Sequence, residues 1–385
     1  MTRSEIQKAL YEEFKRPDGY VPMSKPEFYA MCDCMSYEQK VSHAIDVARS
    51  FYEKITWDYG ANVHVSVGGL DSIVLLLFLR KYVDDDIVSI SASSLEHKSV
   101  QEVHRQIGIT EKLKPIKSKV EILNEYGFPV ISKEKAKKIS ILQTPNSEKQ
   151  TFIHAIMTGD MGEQGHFGHS QKIKLPDKYL QLFGGHYAEH RPDLDCKCAN
   201  FKVSSECCYW MKELPADMWA EEHNSFPFLG LMASEHGQRE MGLIKNGCNY
   251  YGKTTVRSCP FARFSRQDLL RLALDLNAPV PTIYGKIVEK SDGTLYTTRA
   301  QRTGCTMCGF GIHMEKRPHR FDRLRAENEK EWEFWMYRCV TDEVTGEKYG
   351  WGRVLDYFGI PWRDKLMMVD TYEVEQLSIF EEEDI

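Results

Sequence analysis

The stretch Ser66–Tyr82, SVGGLDSIVLLLFLRKY, decides the fold. It closes an alternating run, NVHVSV (Asn62–Val67), whose period of two is that of a strand. Gly68 and Gly69 then free the backbone for a tight turn or a close approach. The following SIVLLLFLRKY is too long and too leucine-rich for an ordinary strand. It predicts a buried helix entered at Asp71 or Ser72, both favoured caps. DIVSISAS (Asp86–Ser93) supplies a second strand. Strand, glycine turn, helix and strand make a βαβ unit, and such units build an α/β fold with a parallel sheet and helices on both faces.

Upstream, SYEQKVSHAIDVARSFYEKI (Ser36–Ile55) carries apolar residues at helical spacing, and the N-terminal MTRSEIQKALYEEFKRPDGY reads as a charged helix without an apolar signal core. Downstream, FPVIS (Phe128–Ser132) and PFLGLMAS (Pro227–Ser234) have the character of short strands. TGDMGEQGHFGHSQ (Thr158–Gln171) has no period, and its glycines and histidines predict a mobile insertion over the site with solvated imidazoles. SRQDLLRLALDLN (Ser265–Asn277) is a capped amphipathic helix, and DGTLYTTR (Asp292–Arg299) is a hairpin fragment. The expected organisation is an N-terminal helical segment over 1–50, a nucleotide-binding α/β domain over 51–300 with an insertion near 158–200, a mostly helical cysteine-bearing segment over 301–368, and a flexible acidic tail over 369–385.

The chain has 385 residues, 42% of them hydrophobic and 28% charged, enough to bury a large core. Its net charge of -6 excludes a wholly basic nucleic-acid coat but leaves room for a local basic face. KEKAKK (Lys133–Lys138) and EKRPHRFDRLR (Glu315–Arg325) are either phosphate contacts or solvated helix faces. No segment has the length to span a membrane, which predicts a cytoplasmic protein with no membrane partner. Eleven cysteines without a secretory signal then read as thiols or metal ligands instead of a disulfide framework.

A strand ending in Gly-Gly, followed at once by a helix start, aims backbone N–H groups and the positive end of a helix dipole at one point, and phosphate suits that point. Ser72 adds a hydroxyl donor; Asp71 either caps the helix or helps to hold a metal ion such as Mg2+ beside the phosphates. The alternative is a glycine turn that serves packing alone. The turn resembles the PP-loop, Ser-Gly-Gly-x-Asp-Ser, of the ATP pyrophosphatase superfamily (adenine nucleotide alpha hydrolase-like). That resemblance implies an ATP- or PAPS-like adenine nucleotide held by Ser66, Gly68, Gly69, Asp71 and Ser72. Two positions depart from it: Val67 stands where the motif has its first serine, and Ala92 where relatives of the reductase branch carry Asp.

Cys207 and Cys208 are adjacent in SSECCYWMKELP, and Cys305 and Cys308 form a CxxC in RTGCTMCGFG. Four thiolates suit iron or zinc. Adjacent cysteines strain to reach one ion, whereas an iron-sulfur cube offers separate corners; buried free cysteines beside a structural zinc are the other reading. This spacing downstream of a PP-loop is similar to that of the cluster-bearing branch of the phosphoadenosine phosphosulfate (PAPS) reductase family. CCYWMKELP, GLMASEHGQRE, GCNYY, FARFSRQDLL, IYGKI, RTGCTMCGFGIHMEKRPHRFDRL and GRVLDYFGIPW resemble its successive blocks, over roughly Tyr37 to Trp362. The resemblance implies one 4Fe-4S cluster on Cys207, Cys208, Cys305 and Cys308. It also gives Arg239 as a clamp for phosphate or sulfate, with a surface ion pair as its plainer reading. Cys32, Cys34, Cys196 and Cys198 are alternative ligands, sulfur-accepting thiols or ordinary cysteines.

Sulfonucleotide reductases of this family are recognised by a reactive cysteine in a C-terminal Glu-Cys-Gly-x-His segment, which this chain lacks. Cys339, in MYRCVTDE, has neither the glycine nor the histidine, and nothing around it lowers a thiol pKa. The resemblance therefore points first to ATP pyrophosphatase-type sulfur or group transfer linked to DNA or RNA modification, with Asp71, Ser72 and Arg239 as catalytic residues. The alternatives are a reductase releasing sulfite, and a nucleotide-binding module without catalysis. In the tail, EQLSIF (Glu375–Phe380) resembles the peptide by which DNA-processing proteins dock on the bacterial sliding clamp, with Gln376–Phe380 as the hook and Leu377, Ile379 and Phe380 as its apolar anchors.

Overall fold

The computed structural model describes residues 1–92, 94 and 96–366; the clamp-like EQLSIF lies outside them. Two compact units divide the chain: unit 1 takes Met1–Lys114 and Leu214–Cys305, and unit 2 takes Pro115–Glu213 and Thr306 onward. This partition is not the linear one read from the sequence. The chain leaves the sheet of unit 1 after its third strand and returns to it through the helix Leu214–Glu222, so residues 115–213 lie outside the 51–300 domain expected to contain them. The segment 158–200 is part of that longer excursion, which the helices Arg320–Glu327, Glu329–Tyr337 and Trp351–Tyr357 complete.

Unit 1 is built on β1 (Asn62–Ser66). β1 pairs in parallel with β2 (Val88–Ser91), and β2 with β3 (Glu111–Lys112). On its other side β1 pairs in parallel with Ser225–Phe228, which pairs with Val256–Ser258; Asn249–Tyr251 closes that edge antiparallel. The result is an α/β fold with a mostly parallel six-stranded sheet flanked by helices. Val63, His64 and Val65 are all buried, as a central parallel strand covered on both faces requires. The PFLGLMAS strand starts earlier than its apolar run suggests, because Ser225 is the residue that pairs with Asn62.

Five helices of unit 1 need labels: α1 (Arg3–Phe14), α2 (Lys25–Asp33), α3 (Tyr37–Glu53), α4 (Leu70–Tyr82) and α5 (Lys98–Gln106). Ser36 caps α3 through a reciprocal pair with Gln39, and Ser265 caps Arg266–Asp275 with Asp268 in the same way. α4 buries Leu70, Ile73, Val74, Leu75, Leu76, Phe78 and Leu79, so it is apolar all round, the mark of a helix covered on every side. Its entry differs from the expected one. Gly69 is the N-cap and makes no side-chain cap, so Asp71 falls in the first turn, where its charge faces the positive end of the dipole.

Unit 2 has its own core around Phe128, Leu180, Phe183, Phe321 and Trp351. FPVIS contributes only Val130–Ile131, and these pair in parallel with Gly309–Phe310, apart from the main sheet. Asp322 ties the start of Arg320–Glu327: its carboxylate accepts from the His319 backbone N–H at 2.8 Å and from Arg317 Nη2 at 2.7 Å. Burial pushes this carboxyl up, but the hydrogen bonds from His319 and Arg317 outweigh burial and hold it at about 2. The folded pKa is the lower one. The stabilisation is therefore complete above an unfolded value of about 3.9 and is lost as the pH falls towards 2, a change of roughly 2–3 kcal/mol. Chemical unfolding followed by tryptophan fluorescence between pH 2 and 5 should show stability rising with pH, and Asp322→Asn should remove roughly 2–3 kcal/mol of that rise, the remainder coming from carboxylates such as Asp177 and Asp342.

Among the described residues no helix is long and apolar enough to cross a membrane.

Candidate functional site

β1 and Ser225–Phe228 are parallel neighbours, and from them the sheet is extended in opposite directions, by β2 and by Val256–Ser258. The carboxyl ends of two such strands open a crevice, the usual ligand position in a doubly wound sheet. Gly68 and Gly69 follow the first strand, and Leu229 and Gly230 the second. A methyl group on Gly230 would stand 3.1 Å from the Asp71 carbonyl oxygen, so the second loop fits against the first turn of α4 closely enough to favour glycine.

Side chains from distant parts of unit 1 fasten the glycine turn. The Ser72 hydroxyl accepts from the Gly68 N–H at 2.8 Å and donates to the Gly69 carbonyl at 3.0 Å. His104, on α5, lies with Nε2 2.8 Å from the Gly68 carbonyl; only an N–H can satisfy that oxygen, so Nε2 carries the proton and Nδ1 faces the Ser91 hydroxyl at 3.3 Å. The Tyr284 hydroxyl accepts from the Leu70 N–H at 3.1 Å and exchanges a hydrogen bond with Thr303 at 2.7 Å. Gly69 makes this approach possible, since a methyl there would stand 2.5 Å from the Tyr284 oxygen. Buried Glu96 lies beside Gly68 as well.

The charged residues form a connected set. Asp71 Oδ1 meets Arg266 Nη1 at 2.5 Å, and Arg266 also donates to the Gln301 carbonyl at 3.1 Å. Burial pushes the Asp71 carboxyl above the usual range, with Glu235 adding to it, against the downward pull of Arg266 and Arg302. Glu235 is nearly inaccessible; it pairs with Arg239 and stands 3.8 Å from Arg302. Arg239, read from the sequence as a phosphate or sulfate clamp or else a surface ion pair, pairs with a carboxylate four residues earlier, with its own side chain half exposed. Ser66 ends β1. Val67, in the place of the motif's first serine, is buried in the core, and its N–H extends the ladder to the Ile90 carbonyl at 2.8 Å. A hydroxyl is missing there, and the valine side chain in its place packs inward.

Of the four cysteines expected as ligands, Cys207, Cys208 and Cys308 belong to unit 2, and Cys305 is the last residue of unit 1 before the chain crosses over. Cys207 is buried, with Sγ 3.5 Å from Met211 Sδ, and Cys208 and Cys308 are half-buried. Cys308 leads into Gly309–Phe310, which pairs with Val130–Ile131; two residues further on, Lys133 engages the Cys208 thiol and Glu213. The strand pair thus carries Cys308 and the partner of Cys208 on adjacent chains. Cys339 is buried, donates to the Trp335 carbonyl at 3.2 Å, and is pushed up to about 12 by burial.

The basic stretches are largely spent within unit 2. Lys138 is buried and bonded to Glu134 and the Lys172 carbonyl, while Arg317, Arg320 and Arg325 pair with Asp322, Glu315 and Glu329. The loop 158–171 is pinned by a hydrogen bond of 2.9 Å between Asp160 and His169.

The fold and this turn define a doubly wound α/β protein with a glycine-lined crevice at its switch point. No family model matches the chain, and no curated protein matches it. Among solved structures, the crystal structure of phosphoadenylyl-sulfate (PAPS) reductase from Candida auris, in a phosphate complex, is similar over 72% of this chain and 100% of its own, at 10% identity and a TM-score of 0.32. At that score the likeness carries no argument about the site.

Tyr284, Thr303, Arg266, His104 and Gly230 were not singled out by sequence reading. Arg266 and Tyr284 sit inside FARFSRQDLL and IYGKI, stretches noted as blocks without a role for any one residue. Gly230 and Thr303 likewise sit inside GLMASEHGQRE and RTGCTMCGFG; no local pattern marks His104.

Proposed function

We propose that unit 1 binds an adenine nucleotide through its phosphates at Gly68, Gly69 and the start of α4, and that the protein is a PP-loop enzyme of the ATP pyrophosphatase type. One observation supports this above the rest: the glycine turn stands at the switch point of the sheet with its backbone braced by Ser72, His104 and Tyr284. A backbone held in place before the ligand arrives does not have to be ordered by it. In this reading an acceptor oxygen attacks the α-phosphorus of ATP, the α–β bridge breaks and pyrophosphate leaves. Sulfide then attacks the adenylated acceptor and displaces AMP, leaving sulfur in the place of the oxygen. Asp71, which pairs with Arg266, would hold Mg2+ beside the phosphates, where the ion would offset their charge, and Arg266 would face the anion. Ser72 keeps the turn closed, and Arg239, paired with Glu235, serves as a positioning residue at the rim.

The same proposal places a 4Fe-4S cluster on Cys207, Cys208, Cys305 and Cys308. Its support is the donor chemistry: soft ligands, buried or half-buried, with Lys133 beside the Cys208 thiol. A cluster of this kind would supply a site for holding sulfur or electrons. DNA or RNA is proposed as the acceptor, and the sliding clamp as a partner through Gln376–Phe380.

Reduction of a sulfonucleotide is the second reading. Cys339 weighs against it, since a buried thiol with its pKa near 12 is a poor nucleophile. Anaerobically purified protein should be brown, hold about four irons per chain, and release pyrophosphate from ATP in the presence of acceptor nucleic acid. Sulfite from labelled phosphosulfate and thioredoxin, without pyrophosphate, would replace the first reading with the second.

A further inference from the structure

Away from the glycine turn, four metal-ligating side chains of unit 1 converge from α2, α3 and the antiparallel edge of the sheet. The pairing of Asn249–Tyr251 with Val256–Ser258 continues one step further, where the Cys259 N–H donates to the Cys248 carbonyl at 2.8 Å. Cys248 and Cys259 are therefore directly opposite, and opposite residues of an antiparallel pair project to the same face. Cys32, on α2, packs into one apolar cluster with Cys259 and Cys248. His43, on α3, brings Nε2 to 3.8 Å from Cys248 Sγ.

The charges around these groups are the telling feature. Arg263 is half-buried and pairs with no carboxylate among the described residues. Its Nε is a buried donor without a partner, and Nη1 reaches only Met35 Sδ at 3.7 Å. Its guanidinium acts electrostatically on Cys32, His43 and Cys248. A second cation, Arg257, donates to Cys259 Sγ at 2.7 Å. An unpaired cation in such a place is costly unless an anion answers it, and neutral thiols do not.

We propose that Cys32, Cys248, Cys259 and His43 bind one soft divalent metal ion of the zinc class, with Arg263 as the countercharge. Three thiolates, a neutral imidazole and a divalent cation together carry one negative charge, which the guanidinium balances. Three thiol protons pass to solvent on binding, and no redox change is involved. The Arg257 N–H on Cys259 is the kind of outer hydrogen bond that orients a thiolate ligand. Among the described residues only Asp84, Asp85 and Asp86 hold three ligand atoms within 4.8 Å of one another. The four proposed ligands do not meet that spacing as they stand, so binding requires the thiols to rotate onto the ion.

The site is independent of the cluster and of the nucleotide reading, and its test separates them. In the full-length chain carrying Cys207→Ser and Cys308→Ser, cobalt(II) should bind once, with a thiolate-to-cobalt charge-transfer band that zinc abolishes. Adding Cys32→Ser with Cys248→Ser should remove the band. Arg263→Gln should weaken cobalt binding roughly ten- to a hundredfold, as loss of an outer-shell partner does. His43→Asn, at a half-buried position that leaves the core intact, should shift the visible cobalt bands. Absence of the charge-transfer band, its survival in the Cys32/Cys248 variant, or an unchanged spectrum in His43→Asn would each overturn the four-ligand site.

Discussion

Gly309→Ala is expected to destabilise unit 2 by about 3 kcal/mol, at or above the upper end for overpacking a closed core. A methyl group at this position would stand 2.3 Å from the Trp351 ring and 2.7 Å from the Pro129 carbonyl oxygen. Neither neighbour is the loose end of a flexible chain. Trp351 is fully buried, with Phe128 at 4.9 Å and Phe321 at 5.1 Å between ring centroids, and Pro129 O belongs to the backbone beside the strand that Gly309 pairs with. Relief has to come from moving the Gly309–Phe310 strand, and Cys308 would move with it. The proposed cluster ties this position to function, so iron per chain should fall together with the unfolding midpoint in urea. Full iron content in a destabilised variant would leave the packing account standing and count against Cys308 as a ligand.

Gly69→Ala should cost less stability and more binding. The added methyl meets Tyr284 O at 2.5 Å and Thr303 Oγ1 at 3.2 Å. Tyr284 is 3% exposed and has little room to withdraw. Displacing it leaves the Leu70 N–H without its partner, a loss of about 1–3 kcal/mol for a buried donor. ATP affinity, measured by calorimetry with Mg2+, should drop at least about tenfold, the equivalent of 1.4 kcal/mol. Tyr284→Phe separates the two effects: it keeps the ring and the space and removes only the hydroxyl, so it should show the hydrogen-bond loss of about 1–3 kcal/mol without the steric clash. If Gly69→Ala binds ATP as well as the unaltered chain, the phosphates are not at this turn.

The βαβ unit is legible in the sequence because its signals are local. Val63 and Val65 alternate in β1, Gly68 and Gly69 mark the turn, and α4 is apolar on every face. The capped helices at Ser36 and Ser265 are legible for the same reason, since a cap and its partner lie three residues apart. What completes the site is not local. Tyr284 reaches Leu70 across 214 positions and Arg266 reaches Asp71 across 195, and no spacing rule connects such pairs. The helix entry was displaced by one such contact: a hydroxyl from Tyr284 takes the Leu70 N–H, so no side-chain cap at Asp71 or Ser72 is needed. The units escaped a linear reading because, within the described residues, the chain crosses between them three times, after Lys114, after Glu213 and after Cys305, where composition does not change. Val67 shows the opposite limit. A lost motif serine looked like a lost phosphate contact, yet burial assigns that side chain to the core.

The most direct test of phosphate binding at the switch point is peptide-resolved hydrogen exchange of the full-length chain, with and without a saturating non-hydrolysable ATP analogue and Mg2+. The account predicts slower exchange in peptides spanning Ser66–Ser72, and no change over the basic stretch Lys133–Lys138. Protection elsewhere, with Ser66–Ser72 exchanging as in the free protein, would contradict it.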